Sequence, residues 1–178
     1  MATATRPRSA ADEAASLRAT KNDLPESTRA EVTRLLNARL ADAIDLQAMC
    51  KQAHWNVRGP QFIALHKLFD EVHVAVGEYV DLIAERITQL GGTAEGTVKV
   101  AAERSTLLDY PVTISTGSDH VAALSDVLAQ FARESRLAID EMTELSDAAS
   151  ADIFTEIARG VDKWLWFVEV HNTDGARA

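Results

Sequence analysis

The chain has 178 residues, 47% apolar and 25% charged, with a formal net charge of −9. That length suits one domain with a full core, and 8 Gly with 4 Pro are too few for a turn-rich β-sandwich or a disordered chain. The acidic balance excludes a body that is itself a nucleic-acid surface, and the single cysteine, Cys50, excludes an internal disulfide framework.

Residues 1–22 are small and polar and read as a flexible basic tail, with only a weak apolar pattern over Ala10–Leu17. A first helix is expected from about Pro25, with Asp23 as its cap, to about Asn56. Val32, Leu36, Leu40, Ala43 and Leu46 recur there at helical spacing. Gly59-Pro60 then breaks the chain. A second helix should run from about Gln61 to Leu90, on the stripe Phe62, Leu65, Phe69, Val72, Val76, Val80, Ile83 and Ile87, and stop at Gly91-Gly92. Residues 93–117 form a long crossover with room for a short helix over Val100–Leu108. A third long helix begins at Ser118 or Asp119, its stripe running through Val121, Leu124, Leu128, Phe131, Leu137 and Met142. After an acidic turn at Ser146–Ser150, Ile153, Ile157, Val161, Leu165 and Val168 mark a last helix that fades near Asn172. The domain therefore spans 23–172, with a loose tail at 173–178. The fold class is all-α: a four-helix bundle with a long crossover between its second and third long helices. No apolar run approaches the roughly 18 residues of a membrane span, and the N-terminus lacks a secretory core, so a cytoplasmic location is expected.

The second helix carries His66, Asp70, Asp81 and Glu85, two i,i+4 pairs that share one face. Asp70 and Asp81 are 11 positions apart, which separates the pairs by about 16 Å along the axis, too far for one metal centre on one straight helix. An antiparallel copy crossing near residues 75–76 would set one chain's His66 and Asp70 against its partner's Asp81 and Glu85. Gly77 beside that crossing would ease close approach. His54, at the end of the first helix, can fold over as a further ligand. Two histidines with three carboxylates suit iron, manganese or zinc. Charged pairs on a helix are more often a solvated face, so spacing alone leaves both readings open. His73 lies near the same face without a clear role, and His120 and His171 read as surface residues. No Glu is followed three residues later by His, which speaks against a di-iron site inside one bundle.

The segment Lys51–Gly92, KQAHWNVRGPQFIALHKLFDEVHVAVGEYVDLIAERITQLGG, resembles the Dps family, the DNA-protecting mini-ferritins of starved bacteria. His54-Trp55, His66-x3-Asp70 and Asp81-x3-Glu85 match its ferroxidase pattern in order and spacing, and the likeness continues through YPV at 110–112 and DKWLWFVE at 162–169. The resemblance implies a ferritin-like bundle assembled into a hollow dodecamer. It implies Fe(II) bound between two-fold-related subunits, with His54, His66 and Asp70 from one chain and Asp81 and Glu85 from the other. It further implies oxidation of Fe(II), preferably by hydrogen peroxide, and storage of ferric mineral in the cavity. Trp55 matches an aromatic neighbour of that site, with a redox role or a packing role both open.

Some members bind DNA through basic tails. Arg6, Arg8, Arg18 and Lys21 outnumber Asp12 and Glu13 here, so the N-terminal tail is expected to bind DNA non-specifically and to place the protein in the nucleoid. Asp140, Glu141, Glu144, Asp147 and Asp152 cluster at the last interhelical turn. Glu144, Asp147 and Asp152 are candidates to line an iron-entry pore, with a solvated turn as the alternative. Cys50 reads as a small buried hydrophobe, and Trp164 and Trp166 as packing aromatics. The competing class is a non-enzymatic nucleoid or shell protein with a vestigial metal site.

Overall fold

A computed structural model of the chain describes residues 17–172. Five helices follow in order: α1 Glu26–Asn56, α2 Phe62–Gln89, α3 Val98–Arg104, α4 Gly117–Glu144 and α5 Ala148–Glu169. The four long ones form two hairpins, α1 on α2 and α4 on α5, joined by the crossover that carries α3. No helix among the described residues is long and apolar enough to cross a membrane.

The apolar stripes do the packing. Leu36, Leu40 and Leu46 of α1, Leu65, Phe69, Ile83 and Ile87 of α2, Leu124, Leu128 and Phe131 of α4, and Phe154 of α5 are fully buried in one core. Two positions depart from the sequence expectation. Leu137 is 51% exposed, because the buried stripe of α4 passes through Ser135, Ala138 and Met142 instead. His120 is buried rather than on the surface, its Nδ1 meeting the Tyr110 hydroxyl at 2.8 Å.

The helix ends follow local chemistry. Pro25 itself is the N-cap of α1, and Asp23 makes no capping bond. Gly91 has φ +87°, and its N–H and that of Gly92 donate to the carbonyls of Thr88 and Ile87, closing α2 in a Schellman turn that a left-handed glycine permits. Thr97 caps α3. This helix ends at Arg104, earlier than expected, because the N–H and hydroxyl of Thr106 both turn to the buried carboxylate of Asp42. Burial raises the Asp42 carboxyl above its ordinary range, and the bonds from Thr106 and the Arg39 charge oppose that. Thr116 caps α4 by accepting from the Asp119 N–H. Residues 17–22, assigned to the tail, lie along the bundle end: the Arg18 N–H donates to the Gly91 carbonyl at 2.7 Å. Arg6 and Arg8, the weak pattern at Ala10–Leu17 except its last residue, and residues 173–178 lie outside the described residues.

Candidate metal centre

The end of α1 and the first turns of α2 lie side by side because Gly59-Pro60 turns the chain between them. His54 and His66 consequently stack, ring centroids 3.7 Å apart at 21°. Each ring's Nδ1–H donates to the other residue's backbone carbonyl, at 2.7 and 2.8 Å. A carbonyl can only accept, so both Nδ1 atoms carry the proton and the neutral rings hold their lone pairs on Nε2. The backbone contacts thus fix the tautomer and orientation of each ring.

Asp70 completes this group, one oxygen 4.0 Å from His54 Nδ1. Lys51, one turn before His54 on α1, donates directly to the same oxygen. That hydrogen bond, with the Lys51 charge, outweighs the opposing effect of burial and holds the Asp70 carboxyl below its usual range. Lys51 was not singled out from sequence. Its i,i+3 spacing to His54 was the available signal, but its partner is on another helix. His73 makes the same kind of bond, its Nδ1 donating to the Gln47 carbonyl at 2.9 Å.

An open cleft of about 690 Å³ lies over this group, lined by His54, His66, Asp70, Val74 and Trp164 among others. Its apolar rim includes Ile63 and Val74, exposed at 60% and 59% in the single chain. Trp55 is likewise 67% exposed.

Asp81 and Glu85 lie further along α2, exposed, and belong to no such group. Among the described residues, no three His, Cys, Asp or Glu side chains gather as a single-chain metal site. The five candidate ligands divide into three neighbours, His54, His66 and Asp70, which do not form a metal site by themselves, and a distant pair. Gly77 has a use within the chain: a Cβ there would come 2.6 Å from Gln47 Nε2 of α1.

The acidic turn divides too. Glu144 and Asp152 are exposed, and Asp152 lines a cleft of about 390 Å³ with Ile139, Thr143 and Thr155. Asp147 is 2% exposed and is not available to line a channel. It caps α5 through the Ser150 N–H and takes two bonds from Arg86, at 2.8 and 3.0 Å. Burial alone would raise its carboxyl; the bonds from Ser150 and Arg86 outweigh that and hold it below the usual range. Of the candidate DNA contacts, Arg18 and Lys21 are exposed, while Arg6 and Arg8 lie outside the described residues.

The helical pairing and the comparisons with known proteins define the class. The Ferritin-like domain family matches residues 33–178, and the chain belongs to it. Within that class it belongs to the Dps family. The DNA protection during starvation protein of Agrobacterium fabrum is 45% identical over 152 residues, covering 85% of this chain and 94% of that protein. The protein of the same name from Mycolicibacterium smegmatis is 34% identical over 148 residues, covering 83% and 80%. Among solved structures, Mycobacterium smegmatis Dps superposes with a TM-score of 0.82 at 34% identity, over 86% of this chain and 94% of that one. DpsA14 from Streptomyces coelicolor gives 0.83 at 30% identity, over 87% and 92%.

Proposed function

We propose that this chain is a ferroxidase and iron store that oxidises Fe(II) with hydrogen peroxide. The reciprocal Nδ1 bonds of His54 and His66 carry this reading, since they leave both Nε2 atoms free as donors with the Asp70 carboxylate close by. Imidazole and carboxylate donors suit Fe(II), and the anionic oxygen favours the ferric product. Three donors leave a site incomplete. Asp81 and Glu85 of a second copy, antiparallel across α2, supply the rest, and the apolar rim of Ile63 and Val74 gives that copy a surface to cover. A closed homo-oligomer, a dodecamer by the family resemblance, then encloses the ferric mineral.

The electrons balance in pairs. Two Fe(II) each give one electron, and peroxide takes both with two protons to leave two waters and two Fe(III). Delivering both electrons from one site avoids release of hydroxyl radical. Glu144 and Asp152 are the exposed acids left to draw Fe(II) toward the cavity, since Asp147 is committed to Arg86.

The reading extends to DNA. The relatives are named for DNA protection during starvation. Arg18 and Lys21, exposed where the chain leaves the bundle, continue the basic run begun by Arg6 and Arg8. Many copies of such an arm on one particle bind phosphate by multivalency, without sequence preference and with strong salt sensitivity. That activity places the protein in the cytoplasm, on the nucleoid. The iron chemistry is tested by anaerobic Fe(II) loading followed by peroxide. Two Fe(II) oxidised per peroxide consumed is the expected stoichiometry; slow oxidation no faster than that of free iron would overturn the reading.

A further inference from the structure

Tyr110 and His120 make a buried pair that the iron site does not use. Tyr110 sits in the crossover, and His120, in the first turn of α4, is 1% exposed. The hydroxyl and Nδ1 are 2.8 Å apart. Burial lowers the affinity of His120 for a proton, so the ring offers a lone pair rather than a charge, although the nearby Asn56 carbonyl partly offsets this. Burial, with the adjacent Cys50, also keeps the Tyr110 phenol protonated far above its usual range. Such a phenol parts with its proton only when it parts with an electron, and then a base must stand ready.

Phe69 and Asn56 connect the pair to the candidate ligands. The His120 ring is 6.4 Å from that of Phe69, the chain neighbour of Asp70. Asn56, whose carbonyl approaches His120, is two residues beyond His54. The chain has two tyrosines, and the other offers a contrast. Tyr79 is buried against Gly160 and shares a hydrogen bond with Trp164, an indole that can donate but cannot accept its proton.

We propose that Tyr110 is a one-electron donor to the peroxide reaction, and that His120 Nδ1 takes up its phenolic proton. This rests on the ferroxidase reading and covers the case in which a site holds a single Fe(II) when peroxide, which needs two electrons, arrives. One electron then comes from Fe(II) and one from Tyr110. Peroxide with two solvent protons becomes two waters, Fe(II) becomes Fe(III), and the Tyr110 O–H bond breaks to leave a neutral phenoxyl radical beside a protonated His120. Tyr110 is restored when a later Fe(II) returns the electron and His120 returns the proton. The pair thereby keeps a half-filled site from releasing hydroxyl radical.

The experiment loads assembled protein anaerobically with one Fe(II) per site, adds peroxide, freezes the sample, and reads both ferric product and tyrosyl radical by electron paramagnetic resonance. Wild type and Tyr79→Phe should both show a tyrosyl signal, and Tyr110→Phe should lose it. His120→Phe should show a several-fold smaller or shorter-lived signal, because the proton has no acceptor. Tyr79→Phe leaves Tyr110 as the sole tyrosine, so its spectrum decides the matter even if Tyr110→Phe does not assemble. Ferric product without a tyrosyl signal in Tyr79→Phe overturns the proposal and leaves the ferroxidase reading intact. An undiminished signal in Tyr110→Phe also overturns it. No iron oxidation at all overturns both.

Discussion

The two groups of candidate ligands, one at the α1–α2 junction and one further along α2, are built to different standards. His54, His66 and Asp70 are held by a neighbouring helix: rings stacked, each Nδ1 bonded to a backbone carbonyl, and the carboxylate charge-matched by Lys51. Asp81 and Glu85 stand exposed on one helix with no such support. Preorganisation belongs where strong donors must stay aimed; a flexible pair can close on a cation that is already held. The proposed function therefore asks equal chemistry of both groups but unequal structural roles.

That contrast can be broken most sharply by mutation. Asp81→Ala with Glu85→Ala, and separately His66→Ala with Asp70→Ala, should each abolish rapid peroxide-driven Fe(II) oxidation in stopped-flow measurements. Their stabilities should differ. The exposed pair should leave urea unfolding within about 0.5 kcal/mol of wild type. The clustered pair should lower it by about 1–3 kcal/mol, because His66→Ala removes a hydrogen bond and the stacked ring and leaves the His54 carbonyl unpaired. Co-assembly of the two inactive variants should restore part of the activity, since some mixed pairs then contain one intact site. No recovery in verified mixed particles would break the proposed pairing across α2.

A second cut separates the iron site from the tail. Deleting residues 1–21 should abolish gel retardation of DNA at low salt while iron oxidation stays near wild type. Deleting 1–16 retains Arg18, its bond to the Gly91 carbonyl and Lys21, and should leave weaker retardation with a shallower dependence on salt, because fewer phosphate contacts remain. Unchanged retardation after the longer deletion would assign DNA binding to the body instead.

The long helices were legible because their burial is periodic and their breakers are local: Gly59-Pro60 and Gly91-Gly92 act within a few residues. What remained hidden depends on residues far apart in sequence. His120 is inside because Tyr110, in the crossover, comes back to meet it. Asp147 is absorbed because Arg86, 61 residues away, reaches the same turn. Leu137 is exposed because small residues, Ser135 and Ala138, take the packed face of α4. At the candidate site the spacing of His66, Asp70, Asp81 and Glu85 revealed the division into two groups. It could not reveal that Lys51 holds Asp70, since nothing local to either residue records the other.

The smallest expected effect concerns that lysine. Lys51 Nζ occupies Asp70 as a cation would, so an incoming divalent ion must displace it and also meets its charge. Both side chains are partly open, 27% and 44% exposed, so solvent screens the pair and its worth is no more than about 1 kcal/mol. Lys51→Gln should therefore tighten binding of a spectroscopic probe such as Co(II) by up to about fivefold, read from its visible absorption at neutral pH. The pH dependence has a defined sign. Asp70 has its folded-state carboxyl held below the ordinary 3.8, so the pair's stabilisation is present above that value and is lost as pH falls through the lower folded one. The stability difference between wild type and Lys51→Gln should accordingly shrink in that acid window and be constant above about pH 5. Weaker Co(II) binding in Lys51→Gln would show that the ammonium positions Asp70 for the ion rather than competing with it, and would make Lys51 part of the preorganised group.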